Sequence, residues 1–305
     1  MKDTTKAHIL MILLVITWGF DYVPAKFGLE ILEPMGLLFL KYCVGAVVLL
    51  TVKFIINKDR ALPKLKDLPI FLLCSIFGEI IYFYCEYSAM DHMPVALLTI
   101  VLGFVPVVSV IAERLIYKRK ANRVIVIGIA FCILGIICVI GGDLHVIFEG
   151  RAIGYLLAFG AVLAWNVYNF ITASDALQKY NSATLSCTQL ICTLCLCAPL
   201  AWHSMPAFSE FTPLIAGGIV WMGVVDAGIG FLIMVYGLQK LGPTTSALYS
   251  DFMPVSTTFF GALLLHESIT WLQVIGGIIV VVAGFFVIRE KGKLDEQRLA
   301  AEGGQ

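Results

Sequence analysis

Ten apolar stretches of about 20 residues, divided by short gaps that hold most of the charge, leave this chain the lipid bilayer as its folding solvent. They fall at about 8–27, 35–56, 68–90, 94–117, 123–141, 151–173, 182–202, 213–237, 243–265 and 271–289. In lipid the backbone must satisfy its own hydrogen bonds, so such runs fold as helices. With 60% of its 305 residues hydrophobic and 14% charged, the chain has nothing left over for a soluble domain. The first run follows Lys2 and Lys6 as a signal peptide would, but Pro24-Ala25-Lys26-Phe27 offers no small-x-small cleavage site, and it is read as a retained span.

The formal net charge is zero, but its distribution is uneven. Cations gather at both termini and in the even gaps, as in Lys58, Arg60, Lys64 and Lys66, then Lys118, Arg119 and Lys120, then Lys179 and Lys240. The odd gaps carry Glu30, Glu33, Asp91, Asp143, Glu149, Glu210 and Glu267 with few cations among them. The positive-inside rule then places both termini in the cytoplasm of a multi-pass protein of the cell (inner) membrane. Most of the nine cysteines lie in apolar runs and read as small hydrophobes. Cys192-Thr193-Leu194-Cys195 has CxxC spacing without a nearby histidine and defines no metal site.

The chain also repeats. Phe104-Val105-Pro106-Val107 recurs as Phe252-Met253-Pro254-Val255, and Val126-Ile127-Gly128 as Val274-Ile275-Gly276, both at an offset of 148 residues. Trp18 aligns with Trp165, and the Tyr87 to Pro94 spacing with Tyr236 to Pro243. Five spans per half is an odd number, so the second half enters the membrane from the opposite face, and equivalent gaps exchange sign: Lys118-Arg119-Lys120 against His266-Glu267-Ser268. The expected fold is an all-α integral membrane protein of ten transmembrane helices in two inverted five-helix repeats, 1–145 and 150–290, with a cytoplasmic tail at 291–305. Inverted repeats are a recurrent plan of secondary transporters.

Trp18-Gly19, the two Tyr-x6-Pro spacings, and Pro254 followed by Leu265-His266-Glu267-Ser268 and Gly276-Gly277 resemble the EamA-type drug/metabolite transporter superfamily along essentially the whole chain. The resemblance implies a secondary transporter of small metabolites, often an exporter of amino acids or related compounds. Its central cavity would be lined by the first four helices of each half, with spans five and ten peripheral. Two positions depart from the family's pattern: Arg119 stands where a glutamate usually follows span four, and Lys41 where span two often has an arginine. Lysine, unlike arginine, can titrate when buried.

Ionisable side chains inside a span cost about 2.5–3.5 kcal/mol each and usually face the bundle interior or water. Six qualify: Asp21, Lys41, Glu79, Glu86, Asp226 and Asp251. Glu79 and Asp226 fall near mid-membrane on equivalent helices, where a carboxylate can be neutralised in turn by a proton and by cationic cargo. Helical spacing puts Glu79, Tyr82 and Glu86 on one stripe and Trp18, Asp21, Tyr22 and Ala25 on another, while Asn166 and Asn169 lie beside Trp165. Lys41 reads either as a site residue or as the structural partner of Asp21, and the asparagines either as cargo contacts or as ties between helices. Trp202, Trp221 and Trp271 read as interfacial anchors. Pro24, Pro106 and Pro254 remove backbone hydrogen bonds and serve as hinges or fixed kinks.

The expected function is alternating-access transport of a small cationic or zwitterionic metabolite, with export the favoured direction and protons the favoured coupling ion. A channel or facilitative uniporter without ion coupling is the alternative. An intramembrane enzyme is a remote one, since His8, His92, His145, His203 and His266 all lie at span ends or in gaps and no GxSxG, HExxH or paired-aspartate motif occurs. No cofactor, metal or nucleic-acid partner is indicated; membrane lipid is the obvious neighbour, and a monomer or weak homodimer is expected.

Overall fold

The computed structural model describes residues 3–93, 95–118, 122–139, 151–202, 205–265 and 270–302. Among these the chain is helical, without a strand. Its principal helices are α1 (Asp3–Gly28), α2 (Pro34–Ile56), α3 (Leu65–Met90), α4 (Val95–Leu102), α5 (Val105–Tyr117), α6 (Arg123–Val139), α7 (Ala152–Thr172), α8 (Ser182–Ala201), α9 (Pro213–Leu241), α10 (Pro243–Tyr249), α11 (Met253–Leu265) and α12 (Trp271–Glu302). Pro94, Arg119, Lys120, Asp143, His145, Glu149, His203, His266, Glu267 and Ser268 lie outside the described residues.

Eight helical stretches, counting Ile100–Tyr117 across its internal turn as one, are long and apolar enough to cross a bilayer among the described residues, where ten were anticipated. Two expected spans differ. The run at 123–141 is the 17-residue α6, and the run at 243–265 is divided by a tight 3-10 turn at Ser250–Phe252. A matching break at Gly103-Phe104 separates α4 from α5. Each break comes just before a proline of the repeated motif, Pro106 or Pro254, whose missing N–H is harmless near the start of the following helix. The prolines thus begin helical segments instead of bending continuous ones. Pro24, by contrast, lies within an unbroken α1. The stretch read as a tail continues α12 to Glu302.

Two wide π-helical segments occupy equivalent places, Ser75–Ile81 in α3 and Met222–Gly230 in α9, beginning 147 residues apart. One contains Glu79 and the other Asp226. Such segments concentrate at functional sites, and they rotate everything beyond them relative to an ideal helix.

Packing between the halves is reciprocal. α2 packs on α9 as α8 packs on α3; α1 packs on α11 and α9 as α7 packs on α5 and α3; and α6 packs on α12. Glycines set the distances. A Cβ on Gly276 would stand 2.6 Å from the carbonyl oxygen of Gly135, whereas at the 148-residue offset a Cβ on Gly128 would run into the Val287 side chain, with the Ala283 carbonyl oxygen 3.8 Å away. On the other side, Cβ atoms on Gly223 and Gly45 would lie 2.8 Å from the Lys41 carbonyl oxygen and from Ala227. This close approach of α2 and α9 brings Lys41 beside Asp226.

Candidate functional site

A narrow cleft with about 60 Å³ of free space opens between the halves, lined by Trp18, Asp21, Tyr22 and Ala25 of α1, by Tyr82, Phe83, Glu86 and Tyr87 of α3, by the α4–α5 break, and by Trp165, Asp226, Ser250, Met253 and Pro254. The whole α1 stripe read from helical spacing faces it. Trp18 and Tyr82 meet the Trp165 ring at centroid distances of 5.9 and 4.6 Å, which gives the cleft an aromatic floor.

Lys41 is fully buried and lies behind the wall. Its ammonium donates to Asp226 Oδ2 at 2.9 Å and to the Tyr87 hydroxyl at 3.3 Å, and sits 3.7 Å from the centroid of Phe83. The partner of Lys41 is therefore Asp226, across the two halves, and the pairing with Asp21 considered from sequence does not form. Asp21 instead accepts from Trp221 Nε1 at 2.9 Å. Trp221 is accordingly engaged with α1, whereas Trp202 and Trp271 are exposed as anchors would be.

Glu86 accepts from Tyr22 at 2.8 Å and from Tyr82 at 3.1 Å on the same oxygen. Glu79 does not share its face. It turns away from the cleft and accepts from the Tyr42 hydroxyl, leaving Oε1 buried without a partner. The i, i+7 spacing assumed 3.6 residues per turn, and the π segment at Ser75–Ile81 breaks that register. Asn166 is also off the cleft: its amide donates to Val105 O at 3.2 Å and Val162 O at 2.9 Å, so it ties α7 to the start of α5. Asn169 and Asp251 are fully buried; neither amide atom of Asn169 has a hydrogen-bond partner among the described residues, and the Asp251 carboxyl lies against the Cys132 thiol. At the cleft, Trp18 Nε1 is buried with no hydrogen-bond partner among the described residues, and the Asp21 carboxyl lies beside that of Asp226.

Sequence reasoning passed over several members of the site. Phe83 gave no signal beyond being aromatic, and Trp221 looked like an anchor. Glu113, inside the fourth apolar run, is a buried acid that accepts from Lys291 at 2.8 Å and from Thr244 at 2.7 Å. It joins α5 to α10 and α12.

On the side of the chain termini the halves are closed by polar contacts. Asp59, in the α2–α3 loop, accepts from Lys53 at 2.7 Å, Thr184 at 2.7 Å, Asn181 at 3.0 Å and the Ala61 amide at 2.9 Å. The Lys53 ammonium and these further donors hold the Asp59 carboxyl well below the usual carboxylate range. Asp67 accepts from Tyr180 and pairs with Lys179 at 2.8 Å, and Lys240 pairs with Asp3 at 3.0 Å.

A helical membrane bundle with two interlocked halves and a polar, aromatic cleft between them defines a polytopic transporter rather than an enzyme, and the comparisons with known proteins agree. The profile of the EamA-like transporter family matches the chain twice, at residues 5–141 and 152–289, and the chain belongs to that family. An uncharacterized transporter of Archaeoglobus fulgidus is 24% identical over 94% of this chain and 100% of its own length. A probable terminal-alkyne amino-acid exporter of Streptantibioticus cattleyicolor is 23% identical, with 99% of each chain covered. A solved crystal structure shares the fold, with a TM-score of 0.74 over 95% of this chain and 98% of its own, at 17% identity.

Proposed function

We propose that this protein is a proton-coupled secondary transporter that exports a small amino acid or related cationic or zwitterionic metabolite across the cytoplasmic membrane, by rocking two inverted five-helix halves about the central cleft. The observation that carries the reading is the Lys41–Asp226 ion pair, which ties α2 of one half to α9 of the other at the cleft wall. A cargo ammonium drawn to Asp226, or a proton on it, removes the charge that holds Lys41. The link between the halves then loosens when the site is filled, as alternating access requires. The Trp18 N–H, without a partner among the described residues, and the Asp21 carboxylate supply one donor and one acceptor at the cleft, which suits a zwitterion against the aromatic floor. The relative from Streptantibioticus cattleyicolor supports an amino acid as cargo and export as the direction.

The reciprocal packing of the halves supports the inverted repeat, with α4–α5 and α10–α11 counted as single broken spans to give ten. The cation bias supports a cytoplasmic location for both termini. The contacts through Asp59, Asp67 and Asp3 then form a closed inner gate, with the cleft on the outer side.

Counterflow of labelled amino acids, polyamines and cationic drugs into proteoliposomes, with and without a pH gradient, tests the reading. Asp226→Asn, which leaves Lys41 without its counter-charge and so lowers stability, is expected to abolish the response to the pH gradient in the protein that still inserts and purifies folded, and Glu79→Gln, off the cleft, to have a smaller effect. Transport by Asp226→Asn at unchanged rate and pH dependence would remove the coupling mechanism.

A further inference from the structure

A second, larger opening lies outside the transport cleft. Between α1, α11 and α12 runs a groove of about 870 Å³ on the outside of the bundle. Its walls are apolar, with Ile16, Phe259, Val281 and Phe285 all exposed along it. One end differs from the rest: Arg289 and Lys293, one turn apart on α12, project there, and His8 of α1 lines the groove with its ring nitrogen 2.5 Å from the Tyr249 hydroxyl. Among the described residues Lys293 makes a loose contact of 3.6 Å with Glu290 on its own helix, and its side chain is half exposed. The other two apolar grooves described on the bundle, both against α6 and α12, have no charged residue in their linings.

We propose that this groove is a binding site for an anionic diacyl phospholipid of the leaflet that borders the chain termini. Its phosphate would be held by Arg289 and Lys293 and its acyl chains laid between α1 and α11. The argument is charge complementarity joined to shape. A slot lined by aliphatic and aromatic side chains fits hydrocarbon, and a pair of cations at its membrane-surface end fits a headgroup with net negative charge. The back wall is the divided helix. Tyr249, Phe252 and Val255 face the groove, whereas the interleaved Ser250, Met253 and Pro254 face the transport cleft. A lipid seated here supports the segment where α10 gives way to α11.

Native mass spectrometry of the delipidated full-length chain, titrated with phosphatidylglycerol or with phosphatidylcholine of the same acyl chains, reads the site directly. One phosphatidylglycerol is expected to be retained in preference to phosphatidylcholine. R289A/K293A is expected to weaken phosphatidylglycerol binding roughly thirtyfold, from the loss of two basic residues at an anionic headgroup. K64A/K66A, which removes the same charge from the α2–α3 side, is expected to leave binding unchanged. V281W fills the apolar slot and is expected to reduce retention of both lipids. Equal retention of the two lipids by the unaltered chain overturns the proposal. So does an equal loss from K64A/K66A, or unchanged binding by V281W.

Discussion

Lys41 has no exposure to solvent and keeps its charge company through Asp226, Tyr87 and Phe83. Removing one member of a buried ion pair strands the other, at a cost of about 3–5 kcal/mol, whereas replacing both by apolar groups of similar volume is often nearly neutral. Lys41→Met and Asp226→Leu are each expected to lower thermal stability sharply. The double variant is expected to recover much of the loss while remaining inactive in transport. Additive losses, read by thermal unfolding in detergent, would mean that the two residues are not coupled. At the cleft, Tyr22→Phe and Tyr82→Phe each remove one of the two donors to the same Glu86 oxygen. Either change alone is expected to be milder than the pair, measured as the loss of counterflow rate.

At the scale of the elements, glycine spacing decides which helices can touch. Gly276→Val drives a branched side chain into the carbonyl of Gly135 and the backbone of Val139, and is expected to cost about 1–3 kcal/mol or more through overpacking. Gly217→Ala, in the same kind of helix but with nothing within 4 Å, is expected to be neutral or slightly stabilising. Comparing the two by unfolding temperature separates packing from helix propensity. The α2–α3 loop is fastened to α8 by Asp59, whose folded pKa is depressed by Lys53 and its other donors. A depressed acid contributes stability above its unfolded pKa and loses it as the pH falls toward the folded value. Wild-type stability should therefore decline on acidification below about pH 4. Asp59→Asn should begin lower at neutral pH and show a shallower decline, a difference that unfolding at a series of pH values measures.

For the whole molecule, the proposed orientation puts the loop after α2 on the cytoplasmic side. Leu62 is 72% exposed there, so a single cysteine at that position, on a cysteine-free background, is accessible to an impermeant reagent. It is expected to react only in inside-out vesicles. Labelling in intact cells would reverse the topology and with it the assignment of the closed gate.

Much of this architecture was legible along the chain, because spanning a bilayer is a local property: about 20 apolar residues form a helix wherever they occur. The 148-residue offset likewise exposed the repeat through Pro106 and Pro254, and Gly128 and Gly276, and the stripe from Trp18 to Ala25 follows from helical period alone. Partnership was not legible. That Lys41 meets Asp226 rather than Asp21, that Trp221 holds Asp21, and that Glu113 reaches Lys291 all depend on which helices lie side by side. Glu79 left the cleft because π-helical turns reset its register, a choice that no residue type announces. The sequence by itself thus determined that the chain lives in the membrane as paired sets of helices with carboxylates among them. Tertiary packing alone decided which charges face one another, since a buried ionic contact is set by the close approach of two helices far apart in sequence.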